Sequence, residues 1–332
     1  MKQLKFTSIL SLFVTLFLVS CAATSSTSSN SSDSSSTDAT DITDAVFTSQ
    51  SANCADYVKS YTSSAKDVNN NNKVFTGSLT ISTASGKCSF TSTQIPNHDF
   101  NDGSSQFVTD VASSTKTYSI SASPAAADSV TELSLSYDNA LFLNGVKLDL
   151  LSAGCFEVGT GKIGCNDNYK SDQYWRYDPM YSGNTFGTDS HNAHTQPTGE
   201  YHYHGDPKAM YDTSSATTES PVIGFAADGY PIFGPYFKDS TNTIRKAVSC
   251  YVTKTGSRQA LSDAKTTTPA GSYDGTYIQD YEYDLGKKTD GTCDLDECNG
   301  MTVNNVYGYY VTDSYPWVLQ CFKGTIDPSF KK

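Results

Sequence analysis

The chain has 332 residues, a formal net charge of -12 and 37 % hydrophobic residues. That acidity excludes the phosphate-backbone attraction on which nucleic-acid binding depends, so no nucleic-acid partner is expected. The length is enough for a sizeable core, in one large domain or two smaller ones.

Lys2 and Lys5 precede an apolar run over residues 6–19 that is too short to span a bilayer comfortably. Residues 1–20 therefore read as an export signal. The run ends in Leu18-Val19-Ser20-Cys21, which is similar to the bacterial lipobox. Cys21 would then be the lipidated first residue of an exported lipoprotein, and Ala22 after it points to the outer membrane, facing the periplasm or the cell surface. Ordinary cleavage near Ala23, releasing a soluble protein, is the competing reading. Residues 21–44 are Ser, Thr, Ala and Asp with almost no large apolar side chain, a composition that cannot bury a core and reads as a disordered tether.

Strand signals dominate beyond the tether. Residues 73–82, 132–137, 140–143 and 146–150 carry short β-branched and aromatic runs, and Asn144-Gly145 marks a hairpin turn between the last two. Short helices are expected only around residues 52–64 and 207–211. With 22 tyrosines scattered in bursts between Gly, Asn and Asp, the fold class reads as mainly β. The expected form is a sheet-rich single large domain, sandwich-like or irregular, with long loops and few short helices. Residues 45–135 form its N-terminal β region.

Three of the five histidines, His194, His202 and His204, fall within eleven residues, with His191 just upstream. Pro197-Thr198-Gly199 has the residues of a three-residue hairpin loop, a type I turn closed by a left-handed glycine. Such a loop pairs Gln196 with Glu200 and His194 with His202. On that register His194, His202 and His204 share one face, and His191 leaves from the other. Neutral imidazole is the commonest protein metal ligand, so the hairpin proposes a three-histidine site for Zn or Cu. Glu200 and Asp206 are candidate bases or partners of the imidazoles. A hydrogen-bonded aromatic hairpin without metal is the alternative.

Residues 221–236 read as two buried strands joined by an Asp228-Gly229 turn, and Asp228 is a weaker candidate acid there. Besides Cys21 the chain holds Cys54, Cys88, Cys155, Cys165, Cys250, Cys293, Cys298 and Cys321, an even set that implies four disulfides in an exported protein. Cys155 with Cys165 is the expected local pair. Asp294, Asp296 and Glu297 lack the spacing of a calcium loop and read as a solvated turn. The tyrosines and Trp317 that follow are either a sugar-stacking platform or a wall of the core.

These segments resemble one family. Asn192, His194, Gly199 and Tyr201-His202-Tyr203-His204-Gly205, then Gly224, Asp228-Gly229, Pro231 and Gly234, then Asp296-Glu297-Cys298-Asn299-Gly300 and Tyr315-Pro316, occur in the order seen in the YHYH domain family of exported bacterial proteins. The resemblance covers residues 141–324 and assigns residues 136–326 to a YHYH domain. It implies a fold and a site but no substrate. Some members carry a second Tyr-His-Tyr-His where this chain has Tyr307-Gly308-Tyr309-Tyr310. The functional expectation is metal-dependent hydrolytic or redox chemistry, or metal binding. The rival is a cell-surface glycan- or peptide-binding module that uses exposed Tyr and Trp, with structural histidines.

Overall fold

The computed structural model describes residues 38–104, 106–158, 164–165, 171–214 and 217–332. The expected export signal, Cys21 and the tether up to residue 37 lie outside the described residues. Strand β1 (Thr40–Asp41) pairs in parallel with β2 (Lys59–Asp67), so the stretch 21–44 read as a disordered tether contains a paired strand near its end. With β3 (Lys73–Ala84), β4 (Lys87–Ser92) and β5 (Lys116–Ser121) they make a five-stranded sheet in sequence order.

Alternation builds this sheet. Ser63, Ala65 and Asp67 of β2 and Gly77, Leu79 and Ile81 of β3 point inward while their neighbours face out. Asn71 and Asn72 close the β2–β3 turn with φ of 54° and 53°, values that asparagine tolerates better than most residues. The helix expected over residues 52–64 reduces to one 3-10 turn, Cys54–Tyr57. Beyond it, pairing with β3 overrides the helical preference of Lys and Ala. No helix forms over residues 207–211 either, because Lys208 and Met210 have φ of 49° and 70°.

After β6 (Ala126–Glu132) the chain builds β7 (Ala140–Phe142), β8 (Lys147–Leu148), β9 (Ala193–Thr195), β10 (Tyr201–Tyr203), β11 (Val222–Ala226) and β12 (Pro231–Phe233). Two ribbons follow: β13 (Tyr236–Lys238) with β14 (Ile244–Lys246), and β15 (Tyr251–Thr253) with β16 (Tyr281–Tyr283). Helix α1 (Leu285–Asp290) then leads to β17 (Gly300–Val303), β18 (Val306–Tyr310) and β19 (Cys321–Gly324). The second sheet has eight strands in the order β17-β18-β12-β11-β7-β8-β10-β9, and β19 pairs with β6. The strand expected at 132–137 therefore ends at Glu132, because the available partner, β19, pairs with the residues before it.

Two turns behave as their sequences require. Gly145 and Gly229 take φ of 86° and 91° in the β7–β8 and β11–β12 hairpins. The two large sheets share one core: the rings of Phe90 on β4 and Phe225 on β11 lie 5.9 Å apart, and buried residues of both sheets form one cluster. Residues 45–135 and 136–326 thus contribute to the same compact unit, Asp38–Lys332.

The disulfides are Cys54–Cys88, Cys155–Cys165, Cys250–Cys293 and Cys298–Cys321. Each contributes roughly 2–4 kcal/mol in general. The molecule is thus a sheet-rich, disulfide-stabilised domain, as its composition indicates. Among the described residues no helix is long and apolar enough to cross a membrane.

Candidate metal centre

The hairpin that carries the histidines has the expected register. Gln196 N–H donates to the Glu200 carbonyl at 2.9 Å, Gly199 N–H donates to the Gln196 carbonyl at 2.8 Å, and His202 stands opposite His194. Gly199 has φ of 86°, and a Cβ there would lie 2.8 Å from the Ala112 Cβ, so both backbone angle and packing demand glycine.

Alternation then sorts the side chains. Tyr201 and Tyr203 enter the core, where Tyr203 OH and His98 Nε2 are 2.6 Å apart and Tyr201 OH donates to Asp189. His194, His202 and His204 meet on the other face. Their Nε2 atoms are 3.1 Å apart between His202 and His204, and 3.0 Å apart between His204 and His194. His191 belongs to neither contact. Its ring stacks on His98 at 3.6 Å, and its Nδ1 reaches the Pro207 carbonyl at 2.6 Å.

Proton bookkeeping on this cluster decides what it fits. A carbonyl can only accept, so His194 Nδ1 donates to the Phe186 carbonyl at 2.7 Å and His202 Nδ1 donates to the Glu200 carbonyl at 3.3 Å. In the neutral rings both Nε2 atoms are therefore lone pairs aimed at His204. If His204 carries its proton on Nε2, its buried Nδ1 is an acceptor with no donor. With the proton on Nδ1, beside the Asp149 and Leu150 backbone, three lone pairs converge. Each tautomer leaves a buried lone pair unmet. A cation among the three Nε2 atoms meets all of them. Nitrogens about 2.0–2.1 Å from zinc at tetrahedral angles stand about 3.3 Å apart, close to the spacing of the two pairs that include His204, and all three ligand atoms lie within 4.8 Å of one another.

Protonation is the other remedy, and burial opposes it. Burial first, then the neighbouring imidazoles, hold His202 and His204 well below the ordinary imidazole range, and burial lowers His194 as well. In metal-free protein the folded state then binds fewer protons than the unfolded chain, whose imidazoles titrate near 6.5. Their contribution to stability is lost as pH falls below that value. Replacing His202 and His204 together by Gln should flatten the decline between about pH 6.5 and 5 by up to roughly 1.4 kcal/mol per pH unit per imidazole. Urea unfolding with chelator present measures this, and an unchanged slope would mean that the folded rings titrate freely.

Around the imidazoles lies a charge network that the sequence did not disclose. Strand β8 pairs in parallel with β10, setting Lys147 opposite His202, and Asp149, two residues on, shares that face. The Lys147 side chain is fully buried, with Nζ 3.3 Å from Asp138 and 3.0 Å from Glu200. Glu200 also pairs with Lys116 at 3.0 Å, and Asp149 with Lys332. Burial pushes the Glu200 carboxyl up, but Lys147 outweighs it and holds the group at about 2. The alternation of Lys147 and Asp149 with Val146, Leu148 and Leu150 was a legible sign of a polar face; its burial was not.

The three candidate carboxylates, Glu200 and Asp206 as bases or partners and Asp228 as an acid, are all engaged elsewhere. Glu200 holds two lysines and accepts from Ser114 at 3.3 Å. Asp206 accepts from the Tyr211 hydroxyl and from Lys208 N–H at 2.9 Å, and burial raises it. Asp228 accepts from Tyr309 at 2.6 Å and from Gly324 N–H at 2.9 Å, which joins β18 and β19 to the Asp228-Gly229 turn. The acids near Cys298 are also committed: Asp294 takes both terminal nitrogens of Arg245, at 2.7 and 2.6 Å, and Asp296 accepts from Cys298 and Gly300 N–H. Tyr309, Tyr310 and Tyr315 are buried, so the C-terminal aromatic cluster is core and not an exposed platform.

Among the described residues His194, His202 and His204 form the group able to hold a metal ion, with potential ligand atoms all within 4.8 Å of one another. A family model described as "YHYH protein" matches residues 117–324. No curated protein and no solved structure matches the chain.

Proposed function

Because the chain belongs to the YHYH protein family, and its family segment carries this imidazole cluster, we propose that it is an exported metal-binding protein holding one zinc or copper ion through Nε2 of His194, His202 and His204. The observation that carries the reading is the convergence of three nitrogens, two of them fixed as acceptors by backbone carbonyls. Both ions favour imidazole. When bound, the metal would supply a Lewis-acidic or redox centre. With Glu200, Asp206 and Asp228 all engaged, and with His202 and His204 each 3 % exposed, the site favours holding an ion over hydrolysis. Half-buried His194 is the side from which an ion or small molecule reaches it.

Elemental analysis of protein purified without chelators tests the proposal. We expect about one equivalent of zinc or copper per chain. Protein that carries neither ion and takes up neither on titration would overturn it.

The proposal extends to location. Cys21 carries a lipid anchor, and the protein is held at the outer membrane by that anchor and the Ser-rich tether. Its support is the apolar run that ends in Leu18-Val19-Ser20-Cys21. Mass spectrometry of the native N-terminus is expected to find a diacylated or triacylated Cys21. An unmodified terminus downstream of Cys21 would contradict it.

A further inference from the structure

The buried lysine of the charge network faces a carboxyl group in an arrangement that goes beyond an ion pair. Lys147 Nζ donates to Glu200 Oε2 at 3.0 Å and to Gln196 Oε1 at 3.3 Å, and it stands 3.3 Å from Asp138 Oδ1. That third approach is not a hydrogen bond, because Asp138 Oδ1 is buried and has no hydrogen-bond partner. The other oxygen of the same carboxyl, Oδ2, accepts from the Tyr118 hydroxyl at 2.8 Å. The Lys147 and Asp138 side chains are 0 % and 2 % exposed, so bulk water is kept from both.

An amine and a carboxyl group are thus held side by side. Reacting groups fixed about 3–3.5 Å apart gain the high effective concentration of an intramolecular reaction. The two oxygens of Asp138 are not equivalent. Tyr118 steadies the charge that Oδ2 takes up if the carbon becomes tetrahedral, while no donor holds Oδ1. Burial and then Asp138 push the Tyr118 hydroxyl far up, so it stays a donor. Glu200 is the poorer acceptor for the amine, because Lys116 and Ser114 also hold its carboxylate and its side chain is 11 % exposed.

We infer that Lys147 and Asp138 join in an amide bond, a cross-link that the folded chain makes by itself. One ammonium proton moves to Asp138 Oδ1, giving a neutral amine and a carboxylic acid. Nζ attacks Cγ and the C–N bond forms. The Cγ–Oδ1 bond then breaks, and Oδ1 leaves as water with a second proton from Nζ, passed through Glu200 Oε2. An ammonium and a carboxylate become an amide and one water, so the step needs no oxidant, reductant or activated group. Burial pulls the Lys147 ammonium down, but Asp138 and Glu200 outweigh it and hold the group above its ordinary range. The neutral pair is therefore scarce, and the bond forms slowly. Its end point is favoured, because replacing a buried ion pair by uncharged groups is often stabilising. The remaining N–H donates to Glu200 and the new carbonyl accepts from Tyr118. The cross-link fastens the β7–β8 hairpin, whose second strand lies beside the histidine hairpin, and it depends on no metal.

Tryptic mapping tests this on the full mature chain, held for a week at room temperature, then reduced and digested. Trypsin cuts after free lysine, so an unlinked chain yields residues 117–147 at full mass. We expect instead residues 117–162, one water lighter, with no backbone fragments separating Asp138 from Lys147. Asp138→Ala should restore cleavage after Lys147, and the parent digest alone decides if that variant fails to fold. Cleavage after Lys147 in the parent overturns the inference, whether residues 117–147 keep their water or have lost it to a succinimide at Asp138. A branched peptide joining Lys147 to Glu200, or the light 117–162 peptide persisting in folded Asp138→Ala, overturns it as well.

Discussion

Replacing His194, His202 or His204 with Ala is expected to abolish tight zinc or copper binding in each case, while His191→Ala leaves affinity within a few-fold of the parent. The difference comes from strand alternation: His194 and His202 are directly paired, His204 follows on the same face, and His191 turns to His98 and Pro207. Partners that merely orient a ligand cost about 10–100-fold when removed, and loss of a ligand from a set of three should exceed that. Calorimetric titration measures the four variants, with near-ultraviolet circular dichroism separating a lost ligand from a lost fold. Equal loss in His191→Ala would break the register argument.

Lys147→Ala is expected to be among the most destabilising single changes in the chain. Its ammonium is fully buried between Asp138 and Glu200, and truncation leaves both carboxylates facing a void with less compensation. Breaking a buried ion pair by removing one partner costs about 3–5 kcal/mol, which for a domain of this size lowers Tm by roughly 5–8 °C. Glu200→Gln in the Lys147→Met background should recover part of the loss, because an uncharged pair needs no counterion. Thermal and urea unfolding check both. A cost below about 1 kcal/mol would show that water screens the pair.

The sequence disclosed the local half of this account. Pro197-Thr198-Gly199 is a turn whose residue types dictate its backbone, and period-two alternation carries that register outward to His194, His202 and His204. The Asn144-Gly145 and Asp228-Gly229 hairpins were legible for the same reason, and the Cys155–Cys165 disulfide because it is short-range. The long-range half was not legible. Nothing near residue 147 says that β8 will pair with β10, which begins at Tyr201. A lysine in an alternating run reads as surface until its counterions, one from the far hairpin, are known. The strand expected at 132–137 and the helix at 52–64 failed likewise, since β19 and β3 decide those segments from a distance.

The most direct test of the central claim is X-ray absorption at the metal edge of protein loaded with one equivalent of zinc or copper. The account predicts a first shell containing three imidazole nitrogens at about 2.0–2.1 Å, with the multiple scattering that rigid rings produce, reduced in His204→Ala. A shell of oxygens alone, or a spectrum that His204→Ala leaves unchanged, would contradict it.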